Sequence, residues 1–220
     1  MIQDSESIEE AGLRFFGKMS ASISHEIKNV LAIINEIGGL LEDLAVLAGR
    51  GRPVAPDRLE TVGAKLKQQV QRADRIVKTM NAFSHSVDEK SQAVDLNDIV
   101  ALVLTLAGRL ASMRGVTLAP GPRGQAVSVT TAPFHLMHLV WLCLSHSMDA
   151  AGESRTVTIT VTKRGRRGEV RFAPLQGLAK TGAAAFPGVE AQALLAALGA
   201  EIVSAALELA LVVPVEAFPG

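Results

Sequence analysis

The part of this chain best equipped for chemistry is Ser24-His25-Glu26-Ile27-Lys28-Asn29, a histidine next to a carboxylate and followed at helical spacing by a cation and an amide. A neutral imidazole is a capable nucleophile near pH 7. A carboxylate accepting a hydrogen bond from one ring nitrogen fixes the tautomer and leaves the other nitrogen free to attack. Such a ring can accept a phosphoryl group if a partner can reach it. Apolar residues recur at Ile23, Ile27, Val30, Ile34, Ile37, Leu41 and Leu44, in alternating steps of four and three, which is the stripe of a helix packed in a bundle. His25 lies about 200° around the helix from Ile23, so its ring is expected to face solvent. Lys28 can offset phosphate charge, and Asn29, four residues on, shares the histidine's face.

Two long helices must hold this group. The first is expected from Ile8 to Leu47, ended by Gly49-Arg50-Gly51-Arg52-Pro53. After Asp57 a second follows, with Leu59, Val62, Leu66, Ala73, Ile76, Met80, Phe83 and Val87 at the same spacing and Gln69 as the one polar residue on the stripe. Two antiparallel helices cannot enclose a stripe of this length. Pairing with a second copy as a four-helix bundle covers it, so a homodimer is expected.

Polar residues 88–93 read as a linker, and Asp95 as the cap of a helix carrying Ile99, Leu102, Val103, Leu106 and Leu110. Short strands are expected at Val116–Leu118 and Val127–Val129, and a buried helix with Trp141 in the core over Ala132–Ala151. Strands at Thr156–Thr162 and Glu169–Phe172 flank a turn over 165–168. A helix at Gln192–Leu198 and strands at Ile202–Ser204 and Glu208–Val213 complete the chain. The fold class is therefore α+β: a helical hairpin over residues 1–90 followed by an α/β sandwich over 91–220, with helices on one face of its sheet.

Composition narrows the partners. Lys and Arg balance Asp and Glu at 22 each, so no net field draws the chain to nucleic acid or an anionic membrane. The N-terminus is acidic and unlike a secretory signal, and no uninterrupted run of about 18 apolar residues suggests a membrane span. The single Cys143, in an apolar run, reads as a buried thiol of a reducing compartment, so a cytoplasmic location is expected. Apolar residues make up 48% of the chain and mean hydropathy is +0.28, which also favours oligomerisation.

The segment Ser24 to Asn29 resembles the H-box of sensor histidine kinases. Phe83-Ser84 followed by Val94-Asp95-Leu96-Asn97 is similar to the stretch joining their hairpin to the ATP-binding domain, and Leu142 to Ala151 resembles their N-box. The resemblance implies a dimeric hairpin whose histidine, here His25, accepts phosphate, and a second domain of the Bergerat ATP-binding fold. It also gives Asn29 a possible duty, orienting a water that hydrolyses a receiver's aspartyl phosphate. The N-box departs from the family's pattern. Where the family places the asparagine that holds magnesium stands His146, with Leu142 at the upstream asparagine position. No Asp follows Asp149 to bind adenine, and no Asn follows Asn97. ATP-dependent transfer needs the metal to neutralise charge developing on the phosphate oxygens, so the loss of both the magnesium and the adenine contacts argues against use of ATP.

What remains resembles the histidine phosphotransferases built from a kinase-like hairpin and a vestigial ATP domain. These carry phosphate between the aspartates of response-regulator receiver domains, with magnesium supplied by the receiver. Under that reading His25 is the phosphoacceptor, Glu26 orients and assists it, Lys28 offsets phosphate charge, and no cofactor or metal is bound by this chain. Docking specificity is expected in exposed residues beside His25: Ala21, Ser22, Ala32 and Glu36. Two alternatives stay open: a divergent kinase that phosphorylates His25 from ATP, and a dimer that binds receivers without taking phosphate. Elsewhere, His135 and His138 have no Cys, Asp or Glu close in sequence to complete a metal site. His85 reads as a helix-end residue, and Gly177 to Gly182 as a flexible connection.

Overall fold

The computed structural model describes residues 2–178 and 186–215, with side chains described from Ile8 onward. Helices α1 (Ile2–Gly49) and α2 (Pro56–His85) are followed by β1 (Gln92–Asp95), α3 (Leu96–Met113), β2 (Thr117–Pro120), β3 (Ser128–Thr131) and α4 (Pro133–Asp149). A 3-10 turn (Gly152–Ser154), β4 (Thr156–Arg164), β5 (Arg167–Ala173), α5 (Val189–Leu198), β6 (Glu201–Ala205) and β7 (Glu208–Pro214) complete the order. The fold is α+β, a helical region followed by an α/β sheet domain. By contacts the chain forms two compact units, residues 20–82 and residues 1–19 with 83–220.

In the 20–82 unit the helices run antiparallel around the Gly49–Gly51 turn, where Gly51 adopts φ +75°. Ile37, Leu44 and Val62 form a buried cluster to which Ile33, Leu40, Val54 and Leu66 add half-buried surface. Ile23 and Val30 are buried as well, but not all of the stripe is covered within one chain. Leu41, Leu59 and Met80 are exposed, as are Leu31, Val70 and Val77.

The larger unit contains two sheets. β1 pairs antiparallel with β3, and a five-stranded sheet runs β2-β4-β5-β7-β6, parallel only between β2 and β4. Strand alternation sorts the faces: Val170 and Phe172 of β5 and Leu209, Leu211 and Val213 of β7 are buried, while Glu169, Arg171 and Glu208 point the other way and pair as ions. Gly168 in β5 is required by proximity, since a Cβ there would lie 2.9 Å from Leu96 and 3.0 Å from Val127. The predicted linker at 88–93 is partly structured, because Gln92 and Ala93 belong to β1; a four-residue edge strand with an exposed start carries no alternation long enough to read.

Helix α3 is long and apolar enough to cross a membrane by length and composition alone. Its Ile99, Val100, Val103, Leu106, Ala107 and Ala111 are buried, which makes it a core helix of this unit. Asp95 caps it, accepting from the backbone N–H of Asn97 at 3.0 Å and of Val127 at 3.1 Å. Trp141 and Cys143 are buried on α4, and Lys18 lies over the Trp141 ring 4.8 Å from its centroid. Phe15, Phe16, Phe83 and Phe134 form an aromatic cluster, with Phe15 and Phe83 edge to face at 5.5 Å. Gly177 is fixed rather than loose, donating its N–H to the Ala150 carbonyl at 2.8 Å, and Leu178 is buried; residues 179–182 of that predicted connection lie outside the described residues.

Candidate functional site

His25 is exposed on α1, with Ser24, Lys28 and Asn29 exposed beside it. This follows from the three-and-four stripe: Ile23 and Val30 are buried, and the residues between them that turn away from the stripe meet solvent. Of the flanking positions, Ala21, Ala32 and Glu36 are exposed as expected. Ser22 is not. It is 4% exposed, because position 22 lies one helical turn after buried Met19 and two turns before buried Val30, so this small hydroxyl sits on the packed side.

The same periodicity explains Glu26. Four residues after Ser22 and four before Val30, its side chain is 30% exposed, and a carboxylate so placed needs a partner. Arg72 on α2 provides one, with Nη2 donating to Oε2 of Glu26 at 2.7 Å. Arg72 is absent from the residues that the local motif points to. A signal was available: in an antiparallel hairpin, residues about equally far from the turn face each other, and Glu26 and Arg72 are so placed around Gly49–Gly51. The arrangement at this end of the site is an exposed imidazole, a carboxylate held by one oxygen, and two exposed polar side chains on the following turn. Chemically it offers a nucleophile with an adjacent anchored base, open to a large partner.

In the sheet domain, His146 stacks flat on Phe186, with ring centroids 4.4 Å apart and planes 7° from parallel. Burial pushes its basicity down, against the pull of Asp149. Half-buried Leu142 lies one turn before it. From the C-cap of α3, Arg114 reaches across to this face of α4, where its Nη1 donates to the carbonyl and hydroxyl oxygens of Ser145, both at 3.1 Å, and to Asp149 at 3.3 Å.

His135 and His138 do not converge on a common ligand. His138 is 2% exposed and lies 2.8 Å by Nε2 from Oε1 of Glu190 on α5. Burial, with His135 and Arg14 nearby, pushes it down to about 4, so the ring is neutral near pH 7, and its Nδ1 stays buried without a partner. Among the described residues no group of three or more His, Cys, Asp or Glu is placed to hold a metal ion. His85, in the last turn of α2, pairs with Asp88 at 2.9 Å.

No family model matches the chain. It is 21% identical over 149 residues to the sensor histidine kinase ZraS of Klebsiella oxytoca, a match covering 68% of this chain and 30% of that protein. The chain thus spans less than a third of the length of the curated relative it matches. Among solved structures, a histidine kinase from Burkholderia phymatum STM815 aligns over 92% of this chain and 98% of its own at 17% identity, with a TM-score of 0.45. The histidine kinase AdeS of Acinetobacter baumannii aligns over 87% and 98% at 14% identity, TM-score 0.46. Histidine kinase ThkA in complex with the response regulator protein TrrA aligns over 97% and 65% at 14% identity, TM-score 0.44.

Proposed function

We propose that this chain, whose core is like that of a sensor histidine kinase, is a histidine phosphotransferase of a two-component phosphorelay, passing a phosphoryl group between receiver-domain aspartates through His25. The observation that carries the reading is the exposed His25 beside an anchored Glu26. In the proposed step the unprotonated ring nitrogen of His25 attacks the phosphorus of a receiver's aspartyl phosphate. An N–P bond forms, the P–O bond to the aspartyl carboxylate breaks, and that carboxylate leaves with the electron pair. The ring gains positive charge while keeping its N–H, and the free oxygen of Glu26 is the acceptor suited to that N–H. A second receiver takes the group by the reverse step. In the same reading Lys28 offsets phosphate charge, and Asn29, four residues after His25, orients a hydrolytic water.

The α4 surface supports a reaction without bound nucleotide. The residues present there do not fit a magnesium–nucleotide group: Leu142 offers no ligand atom, the His146 ring is stacked on Phe186, and Asp149 is engaged by Arg114. In this reading magnesium for the transfer comes from the receiver. The working unit in this reading is a cytoplasmic homodimer, whose second copy covers the apolar surface left on the hairpin.

The test is label transfer. Incubated with labelled ATP alone, the protein should stay unlabelled. With labelled phosphoreceiver domains from the same cell it should gain acid-labile label, which His25→Ala abolishes. Labelling of His25 by ATP would replace this reading with a divergent kinase, and binding of receivers without label transfer would leave only a docking dimer.

A further inference from the structure

Arg72 hydrogen-bonds the Glu26 carboxylate and reaches it from the opposite helix. Two consequences follow from charge and geometry. A free glutamate has three side-chain torsions to order before it can meet a neighbouring ring, and a guanidinium on Oε2 removes that freedom while leaving Oε1 available. A carboxylate one residue from His25 also repels an approaching phosphoryl anion, and a paired guanidinium offsets that repulsion. Arg72 donates through Nη2 to Glu26, and its side chain is 41% exposed.

We infer that Arg72 is a positioning residue for phosphotransfer, acting through Glu26 by fixing its carboxylate beside the His25 ring and offsetting its charge. The inference rests on the phosphotransferase reading but predicts a property of the free protein as well. Without Arg72 the carboxylate swings away, and the His25 ring loses the bias toward the tautomer that leaves the attacking nitrogen bare.

The experiment compares wild type, Arg72→Gln, Arg72→Lys, Glu26→Gln and the Arg72→Gln/Glu26→Gln double variant, all as full-length chain. Transfer is measured from receiver domains loaded with labelled acetyl phosphate, and the His25 ring is followed by 15N NMR without any receiver. Arg72→Gln should slow transfer at saturating receiver by about ten- to a hundredfold with KM little changed, and Arg72→Lys should recover part of the loss. In the Glu26→Gln background the same Arg72 change should cost less than about twofold, since it acts through a carboxylate no longer present. Arg72→Gln should also shift the His25 tautomer ratio in the direction that Glu26→Gln shifts it. Equal loss in both backgrounds, a rise in KM alone, or an unmoved His25 spectrum overturns the inference. If wild type takes no label, the phosphotransferase reading fails, and the NMR comparison still decides whether Arg72 governs the His25 ring through Glu26.

Discussion

The imidazole of His138 lies flat on the ring of Phe15, centroids 4.5 Å apart and planes 5° from parallel, with Oε1 of Glu190 2.8 Å from its Nε2. The folded ring titrates near 4 against an ordinary value of 6.5, chiefly because it is buried. Between those values the unfolded chain binds a proton that the folded chain does not, so stability rises with pH across that window. The contribution is complete above about 6.5 and declines as pH falls toward 4, on the order of 3 kcal/mol in all. Urea unfolding from pH 7.5 to 4 should therefore show a falling midpoint in wild type. His138→Gln, which has no ring to protonate, should flatten that part of the slope; an unchanged slope would show that His138 is not its source.

Asp95 serves two chain segments at once. Its Oδ1 accepts from the N–H of Asn97 and of Val127, and its Oδ2 accepts from Arg123 at 3.1 Å. Although burial opposes ionisation, the hydrogen bonds from Asn97 and Val127 and the charge of Arg123 hold its carboxyl below the ordinary 3.8. A depressed carboxylate stabilises the fold above its unfolded value, and that contribution disappears as pH falls through the folded one. Asp95→Ala should cost about 1–2 kcal/mol at pH 7 by denaturant unfolding. The difference from wild type should shrink below about pH 4.

Phe83 is fully buried and touches Phe15, Phe16 and Phe134. Phe83→Ala should lower stability by about 3–5 kcal/mol, whereas Phe83→Leu should recover most of it. Urea unfolding of both variants separates cavity cost from loss of a specific ring contact. If Leu is as damaging as Ala, the edge-to-face geometry contributes more than volume.

Where one residue sits on a helix was legible from spacing, and what faces it across the hairpin was not. The stripe through Ile23, Val30, Ile37 and Leu44 placed His25 in solvent, and strand alternation located β4, β5 and β7 to within a few residues. Ser22 is buried although the stripe runs through Ile23, because the packed side is broad enough to include its neighbour. Arg72 stayed invisible because its role depends on a partner 46 residues away, and a single charged residue on a helix ordinarily signals only a solvated face. Likewise, nothing in local pattern brought Phe15 onto His138 or Arg114 onto Asp149; both meetings are set by packing of distant elements.

Val70 and Val77 are seven residues apart on α2, on one face, 53% and 46% exposed, and Leu31 on α1 is 55% exposed. Apolar side chains this open on a two-helix stem lose hydration cost on pairing with a second copy. Half-burial of each valine contributes about 1 kcal/mol, and in a twofold assembly each substitution counts twice. Val70→Glu with Val77→Glu should therefore weaken dimerisation by about three orders of magnitude, before any repulsion between the new charges is counted. Sedimentation across a concentration series should show wild type as a dimer at micromolar concentration and the double variant as a monomer of unchanged helical content. A monomeric wild type at that concentration would remove the two-copy bundle from the proposal, while the exposed His25, which one chain displays by itself, would keep its place.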